Sequence, residues 1–230
     1  MVTLVELCGK LAPGMAIVVF MAPIPTIYQV RKEGKVDHLP LLPYTSMISS
    51  SFVWVSYGVL KDEPKVWIPN SAGLCLGIIY FLVFIYFAPV KSHTLPGSVK
   101  QHMQGASCLI FLCVGLAMIA GTAMVGNLAV LLCVIMFASP LAALKVVIQT
   151  KSARAIPLPF TIASVLNCLF WSVSGIFEMN DYAIYVPNLL GLTFSLAQVA
   201  LKLVYGNGRF GVGSDMLPFS MDAQKELRVV

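Results

Sequence analysis

Charge is scarce in this chain, and the places it avoids say most about the class of protein. Asp, Glu, Lys and Arg make up 11% of the 230 residues, about half the share of an ordinary soluble domain. All ten carboxylates fall in loops, tails or at the ends of apolar runs, so none is placed to carry a proton through hydrocarbon. His38, His93 and His102 also lie in loops or at helix edges. No Ser-His or paired-Asp constellation can be assembled, which argues against an intramembrane enzyme. Six cysteines show no CxxC or other metal-ligand spacing. Five of them, Cys75, Cys108, Cys113, Cys133 and Cys168, sit in apolar runs as small hydrophobes. No metal and no cofactor is expected. An Asn-x-Ser/Thr signal is missing too. The first apolar run has no basic segment before it and contains Pro13, Pro23 and Pro25, so a cleavable signal peptide is not expected.

What is present is apolar: 58% of the residues, with a mean hydropathy of +0.86. Runs of about 20 mostly apolar residues, enough to span a hydrocarbon core of roughly 30 Å, fall near 11–30, 39–60, 66–88, 103–124, 127–148, 157–178 and 182–205. The expectation is a multi-pass membrane protein of seven helices with the lipid bilayer as its solvent. Placing the N-terminus outside and the C-terminus in the cytoplasm puts twelve of the fifteen Lys and Arg residues on the cytoplasmic side, where short loops are enriched in them. The net charge of +5 therefore expresses topology, and nucleic acid is not an expected partner.

Two halves of the chain carry one plan. Leu42-Pro43-Tyr44, Ser50, Trp54 and Ile68-Pro69-Asn70-Ser71-Ala72-Gly73 recur in order as Leu158-Pro159-Phe160, Asn167, Trp171 and Val186-Pro187-Asn188-Leu189-Leu190-Gly191. The prolines of these pairs are 116 apart, the tryptophans 117 and the asparagines 118. Phe20-Met21-Ala22-Pro23 likewise matches Phe137-Ala138-Ser139-Pro140 at 117. The run at 103–124 has no partner, and its single extra crossing lets the second triplet enter from the same side as the first. The expected fold is an all-α membrane protein of 3+1+3 architecture with two parallel repeats. Residues 1–88 form the first repeat, 89–126 a cytoplasmic linker and inversion helix, 127–205 the second repeat, and 206–230 a disordered cytoplasmic tail.

Drawn on that topology, Pro23, Pro43, Pro140 and Pro159 all fall in the cytoplasmic half. Proline removes a backbone donor and kinks a helix, and four kinks at one depth favour a hinge set over independent static bends. On the outer side, Trp54 lies seven residues before Lys61, Asn70 seven after Glu63, Trp171 seven before Glu178 and Asn188 seven after Asp181. Each is thus expected about 10 Å inside the outer boundary. An Asn in hydrocarbon needs partners, and a Trp face can stack on the C–H face of a sugar ring. Helix-packing Asn and core Trp remain the plainer alternative.

These marks resemble the SWEET sugar transporter family, over residues 11–205. Parallel repeats about an axis along the membrane normal, with a midplane substrate site, are a known property of that family and not an inference from this sequence. The resemblance implies that Asn70 and Asn188 contact sugar and that Trp54 and Trp171 are pocket aromatics. Ser50 and Asn167 lie one helical turn before those aromatics. It implies further that Pro23, Pro43, Pro140 and Pro159 form a proline tetrad at a cytoplasmic gate and that Tyr57 and Asp181 form an outer gate pair. Val19 and Met136 match positions that shape substrate size. Pro69 departs from the family pattern, in which an ordinary residue more often precedes the asparagine. The resemblance also implies a homo-oligomer, a trimer, and a plasma-membrane location, with an internal membrane as the alternative.

The expected function is facilitative, bidirectional sugar uniport by alternating access. A PQ-loop exporter of amino acids or other small solutes is the alternative, but Pro25 and Pro140 are followed by Thr26 and Leu141 and not by glutamine. A receptor for a peptide carboxylate would need a buried Arg or Lys, and none lies at the level of the tryptophans. The absence of an acid within the spans predicts transport without proton coupling. Whole-cell or solid-supported-membrane recording should show no sugar-evoked proton current, and a pH step should not drive sugar accumulation.

Overall fold

The computed structural model describes residues 3–36, 39–88, 98–153 and 156–206, leaving aside the side chains of residues 138 and 139. The expected linker segment 89–97 and tail 207–230 lie outside the described residues. Among the described residues nine helical segments follow one another: α1 Leu4–Met21, α2 Ile24–Glu33, α3 Leu42–Leu60, α4 Pro64–Phe87, α5 Val99–Ile119, α6 Gly121–Met136, α7 Ala138–Thr150, α8 Leu158–Phe177 and α9 Tyr182–Tyr205. They make seven crossings, because α1 with α2 and α6 with α7 are each one 30-residue span with a break inside it. The architecture is 3+1+3.

Four boundaries differ from the sequence reading. The outer tail expected over residues 1–10 is helical from Leu4. There the Thr3 amide donates to Glu6 Oε2 at 3.0 Å and the Glu6 amide donates to Thr3 Oγ1 at 3.2 Å, a reciprocal cap that starts the helix early. Arg31 and Lys32, expected in a loop, complete the last turn of α2 before Gly34 closes it in the left-handed conformation, φ 70°. The inversion helix starts at Val99 because Ser98 and Gln101 form a capping box. It ends at Ile119, and Gly121 with φ 75° turns the chain at once into α6. The fourth and fifth spans are therefore 99–119 and 121–150, not 103–124 and 127–148.

Six of the seven crossings are long and apolar enough to span by composition. The exception is α3, whose 19 residues include five serines. Its hydroxyls are returned to its own backbone: Thr45 donates to Leu42 O at 3.1 Å, Ser49 to Thr45 O at 3.0 Å and Ser56 to Phe52 O at 3.0 Å. A helix so satisfied can enter hydrocarbon despite its polar side chains.

The chain falls into two compact units, one of Ala16–Leu132 and one of Met1–Met15 with Cys133–Val230. In the first, α4 packs against both α2 and α3, and α5 lies against α3. In the second, α9 packs against both α7 and α8. Each repeat thus places its third crossing between its first and its second. One end of the second unit is closed by Val147, Ala153 and Ile156 under Leu201 and Tyr205. Lys151 there sits over the Tyr205 ring at 5.0 Å, and Lys202 donates to Ala153 O at 3.1 Å.

The turns that join the second and third crossings of the two repeats are near copies. Asp62 and Asn180 adopt the left-handed conformation, φ 53° and 47°. Glu63 and Asp181 follow as N-caps, accepting from Lys65 N at 3.4 Å and Ala183 N at 3.0 Å. The amide of Glu63 reaches back to Gly58 O at 2.8 Å, and that of Asp181 to Gly175 O at 2.9 Å. The first link spans five residues and the second six. The extra residue that moves the repeat offset from 117 to 118 therefore lies in the second of these turns.

Both hairpins need close approach at those glycines. A Cβ on Gly58 would lie 2.7 Å from the Trp67 backbone nitrogen, and one on Gly175 would lie 3.0 Å from Ile184 and 3.1 Å from the Tyr185 nitrogen. Backbone must shift in the first case, at an overpacking cost of about 1–3 kcal/mol. Gly58→Ala is expected to lower the apparent Tm of the detergent-solubilised protein clearly, and Gly175→Ala less so. Equal Tm values for Gly58→Ala and the wild type in scanning fluorimetry would contradict the packing of this hairpin.

Candidate transport site

Each repeat builds one half of the expected constellation, and the two halves share a local chemistry. In the first, Asn70 lies on α4 directly after Pro69. Although Pro69 departs from the family pattern, α4 runs unbroken from Pro64 to Phe87. Asn70 Nδ2 donates to Val66 O at 2.8 Å, one turn back. In the second, Asn188 follows Pro187 inside α9, and its Nδ2 donates to Ile184 O at 2.7 Å. A proline inside a helix takes one donor from the ladder, and in both repeats the next residue adds a side-chain donor to the same turn. Both asparagines are half-buried, and among the described residues no donor reaches either Oδ1. Each carboxamide is thus anchored through its nitrogen and keeps an accepting oxygen.

The aromatic partners differ. Trp54 on α3 is half-buried and meets the Tyr57 ring edge-on, with centroids 5.8 Å apart and planes at 88°. Trp171 on α8 is buried, 7% exposed. One turn earlier on each helix, Ser50 and Asn167 are half-buried. Asn167 Oδ1 is fully enclosed with no donor among the described residues. An enclosed amide oxygen without a donor is a costly arrangement.

The four prolines separate into two kinds. Pro23 stands in the turn between α1 and α2, and the Ala22 amide closes back on Val19 O at 3.1 Å. Pro140 lies just past the break between α6 and α7, where the Phe137 amide is shared between Cys133 O and Val134 O at 3.2 Å each. Pro43 and Pro159 are different. Each is the second residue of its helix, α3 and α8, where an absent N–H costs nothing and the fixed φ favours initiation. The expectation of four kinks is thus corrected to two breaks and two helix starts.

Sequence reasoning used Phe20 and Phe137 only as repeat marks, yet they join the breaks to the asparagine-bearing helices. The Phe20 ring lies where a Cβ on Gly73 would be, 2.7 Å away, one turn beyond Asn70. The Phe137 ring lies 3.5 Å from the corresponding point on Gly191, with Cys168 Sγ at 2.8 Å. Gly73 and Gly191 had appeared in the repeat, and their shared spacing from Phe20 and Phe137 was the signal available. Val19 and Met136 are the residues preceding these rings; Val19 is half-buried and Met136 is 44% exposed.

Tyr57 is buried beneath Lys61, whose Nζ lies 5.9 Å from its ring centroid. Asp181 is buried as the N-cap of α9. A structural role therefore accounts for the Asp181 side chain beside any role in a gate. Among the described residues no group of three His, Cys, Asp or Glu side chains could hold a metal ion.

Comparison with known proteins agrees with this architecture. The SWEET4 bidirectional sugar transporter of Oryza sativa subsp. indica is 29% identical over 215 residues, covering 86% of this chain and 78% of its own. The bidirectional sugar transporter N3 of Medicago truncatula is 31% identical over 210 residues, covering 90% of this chain and 78% of its own. The 3.7 Å structure of a eukaryotic SWEET transporter superposes with a TM-score of 0.72 at 25% identity, over 87% of this chain and 96% of that one. The profile of the family described as sugar efflux transporters for intercellular exchange matches residues 6–92 and 123–209, the two repeats and not the helix between them. The chain belongs to this family, a family of multi-pass sugar transporters and not of enzymes.

Proposed function

We propose that this chain is a facilitative, bidirectional sugar uniporter working by alternating access. The observation that carries the reading is the duplicated asparagine: Asn70 and Asn188 each spend their N–H on the carbonyl one turn back and keep Oδ1 as an acceptor. A polyhydroxyl solute offers donors to such an acceptor and C–H faces to an indole, whereas an ion or amino acid would ask for charge. Asn70, Trp54 and Ser50 serve as substrate-binding residues from the first repeat, and Asn188, Trp171 and Asn167 from the second. Val19 and Met136 set substrate size. Pro23, Pro43, Pro140 and Pro159 serve the cytoplasmic gate, Tyr57 and Asp181 the outer one. The protein resides in the plasma membrane with its N-terminus outside and its C-terminus in the cytoplasm, and it assembles as a homotrimer.

Uptake of labelled mono- and disaccharides by proteoliposomes tests the reading. A buried site left without its hydroxyl partner loses about 1–3 kcal/mol per unpaired group. Alanine at Asn70, Asn188, Trp54 or Trp171 is therefore expected to abolish transport, with phenylalanine at either tryptophan retaining part of it. Unchanged affinity and flux for every sugar in both Asn188→Ala and Trp171→Ala would place the substrate elsewhere.

The prolines give a second test. Pro23→Ala and Pro140→Ala restore a backbone donor beside a helix break, while Pro43→Ala and Pro159→Ala alter only a first turn. All four variants should reach the membrane at near-normal abundance with reduced flux, the loss being larger for Pro23→Ala and Pro140→Ala. Normal flux in all four would make these prolines static features.

A further inference from the structure

The two repeats close their helix breaks by different means, and the difference centres on one hydroxyl. Phe20 and Phe137 are equivalent residues, 117 apart. At the second break the Phe137 carbonyl accepts the Leu141 amide at 3.1 Å, so the backbone ladder resumes across it. At the first break the Phe20 carbonyl accepts the hydroxyl of Tyr80 on α4, also at 3.1 Å. A side chain from another helix supplies there what the backbone supplies in the second repeat. Pro23 and Pro25 lack the N–H groups that would serve Val19 O and Met21 O, and among the described residues no amide of α2 reaches the Phe20 carbonyl.

Tyr80 is placed to act on more than one carbonyl. Its ring is 2% exposed and meets the ring of Tyr44 edge-on at 6.1 Å, and Tyr44 packs in turn on Phe84 at 5.6 Å. Tyr44 directly follows Pro43, so Tyr80 links the segment before Pro23 to the start of α3. On α4 it shares a face with Asn70, Gly73 and Gly77, at intervals of three, four and three residues. The Phe20 ring already rests on Gly73. Phe20 is thus held twice by the helix that carries Asn70, by its ring and by its carbonyl.

Among the described residues nothing like this recurs in the second repeat. At the matching positions Tyr80 is replaced by Gln198, Phe84 by Lys202 and Tyr44 by Phe160, which is 42% exposed. Lys202 instead donates to Ala153 O.

We propose that Tyr80 is a positioning residue for transport: its hydroxyl clamps the α1–α2 break to α4, so that the first repeat carries a side-chain latch where the second has a closed backbone. The proposal rests on the transport reading for its effect on flux, and on the first unit alone for its geometry. Tyr80→Phe keeps the ring in its aromatic cluster and removes only the hydroxyl. Hydrogen exchange at the amides of Ala22 and Ile27, which bond to Val19 O and Pro23 O at the break, should then quicken about fivefold or more, the factor that the net worth of one hydrogen bond implies. Maximal sugar flux should change by a similar factor, with membrane abundance and equilibrium sugar affinity unchanged. Gln198→Leu should alter neither its own break nor the flux. Unaltered exchange in Tyr80→Phe overturns the clamp, and quickened exchange with wild-type flux overturns its role in transport. Were the wild type to move no sugar at all, the transport reading would fail, while the exchange measurement would still decide the clamp.

Discussion

A backbone polar group in hydrocarbon has no water to turn to, and that constraint governs this structure at each point where the sequence departs from a plain apolar helix. Prolines are placed inside or at the start of seven helical segments, and each removes a donor. The protein answers in three ways. It puts the proline in a first turn, as at Pro43 and Pro159, where the donor is not needed. It follows the proline with a side-chain amide, as at Asn70 and Asn188. Or it breaks the helix and finds another donor, the Ala22 amide and the Tyr80 hydroxyl at one break and the Leu141 amide at the other.

Duplication then sets what is shared and what is free to differ. The turns between the second and third crossings, with their left-handed residue, N-cap and close glycine, are kept nearly unchanged in both repeats, because two helices that approach at Gly58 or Gly175 leave room for no other backbone path. The opposite ends have diverged. One is closed by the buried rings of Tyr44, Tyr80 and Phe84, the other by Lys202 and Lys151 on a carbonyl and a ring. The two breaks are thus closed by different donors, a side-chain hydroxyl at one and a backbone amide at the other.

Most of the architecture was legible in the residues. Length and hydropathy of the runs counted seven crossings, and the doubled Leu-Pro, Trp and Pro-Asn marks paired them into repeats, because a strong local pattern survives whatever surrounds it. The serine-rich α3 was read as a span from its run of mostly apolar residues at 39–60. Helix ends were read less well. Thr3 with Glu6 and Ser98 with Gln101 were capping boxes in plain view, and overlooking them shortened α1 and displaced α5.

By itself the sequence determined the membrane setting, the repeat and the family, because each of these depends on composition and spacing along one chain. Only the tertiary structure decided that two of the four prolines break a helix and two begin one. A proline's effect depends on whether a donor was needed at its position, and the helix start fixes that. Tertiary structure also decided what Phe20, Gly73 and Tyr80 do together. Their ring, missing Cβ and hydroxyl lie up to sixty residues apart in the chain and meet where the end of α1 comes against α4, and no local pattern records such a meeting.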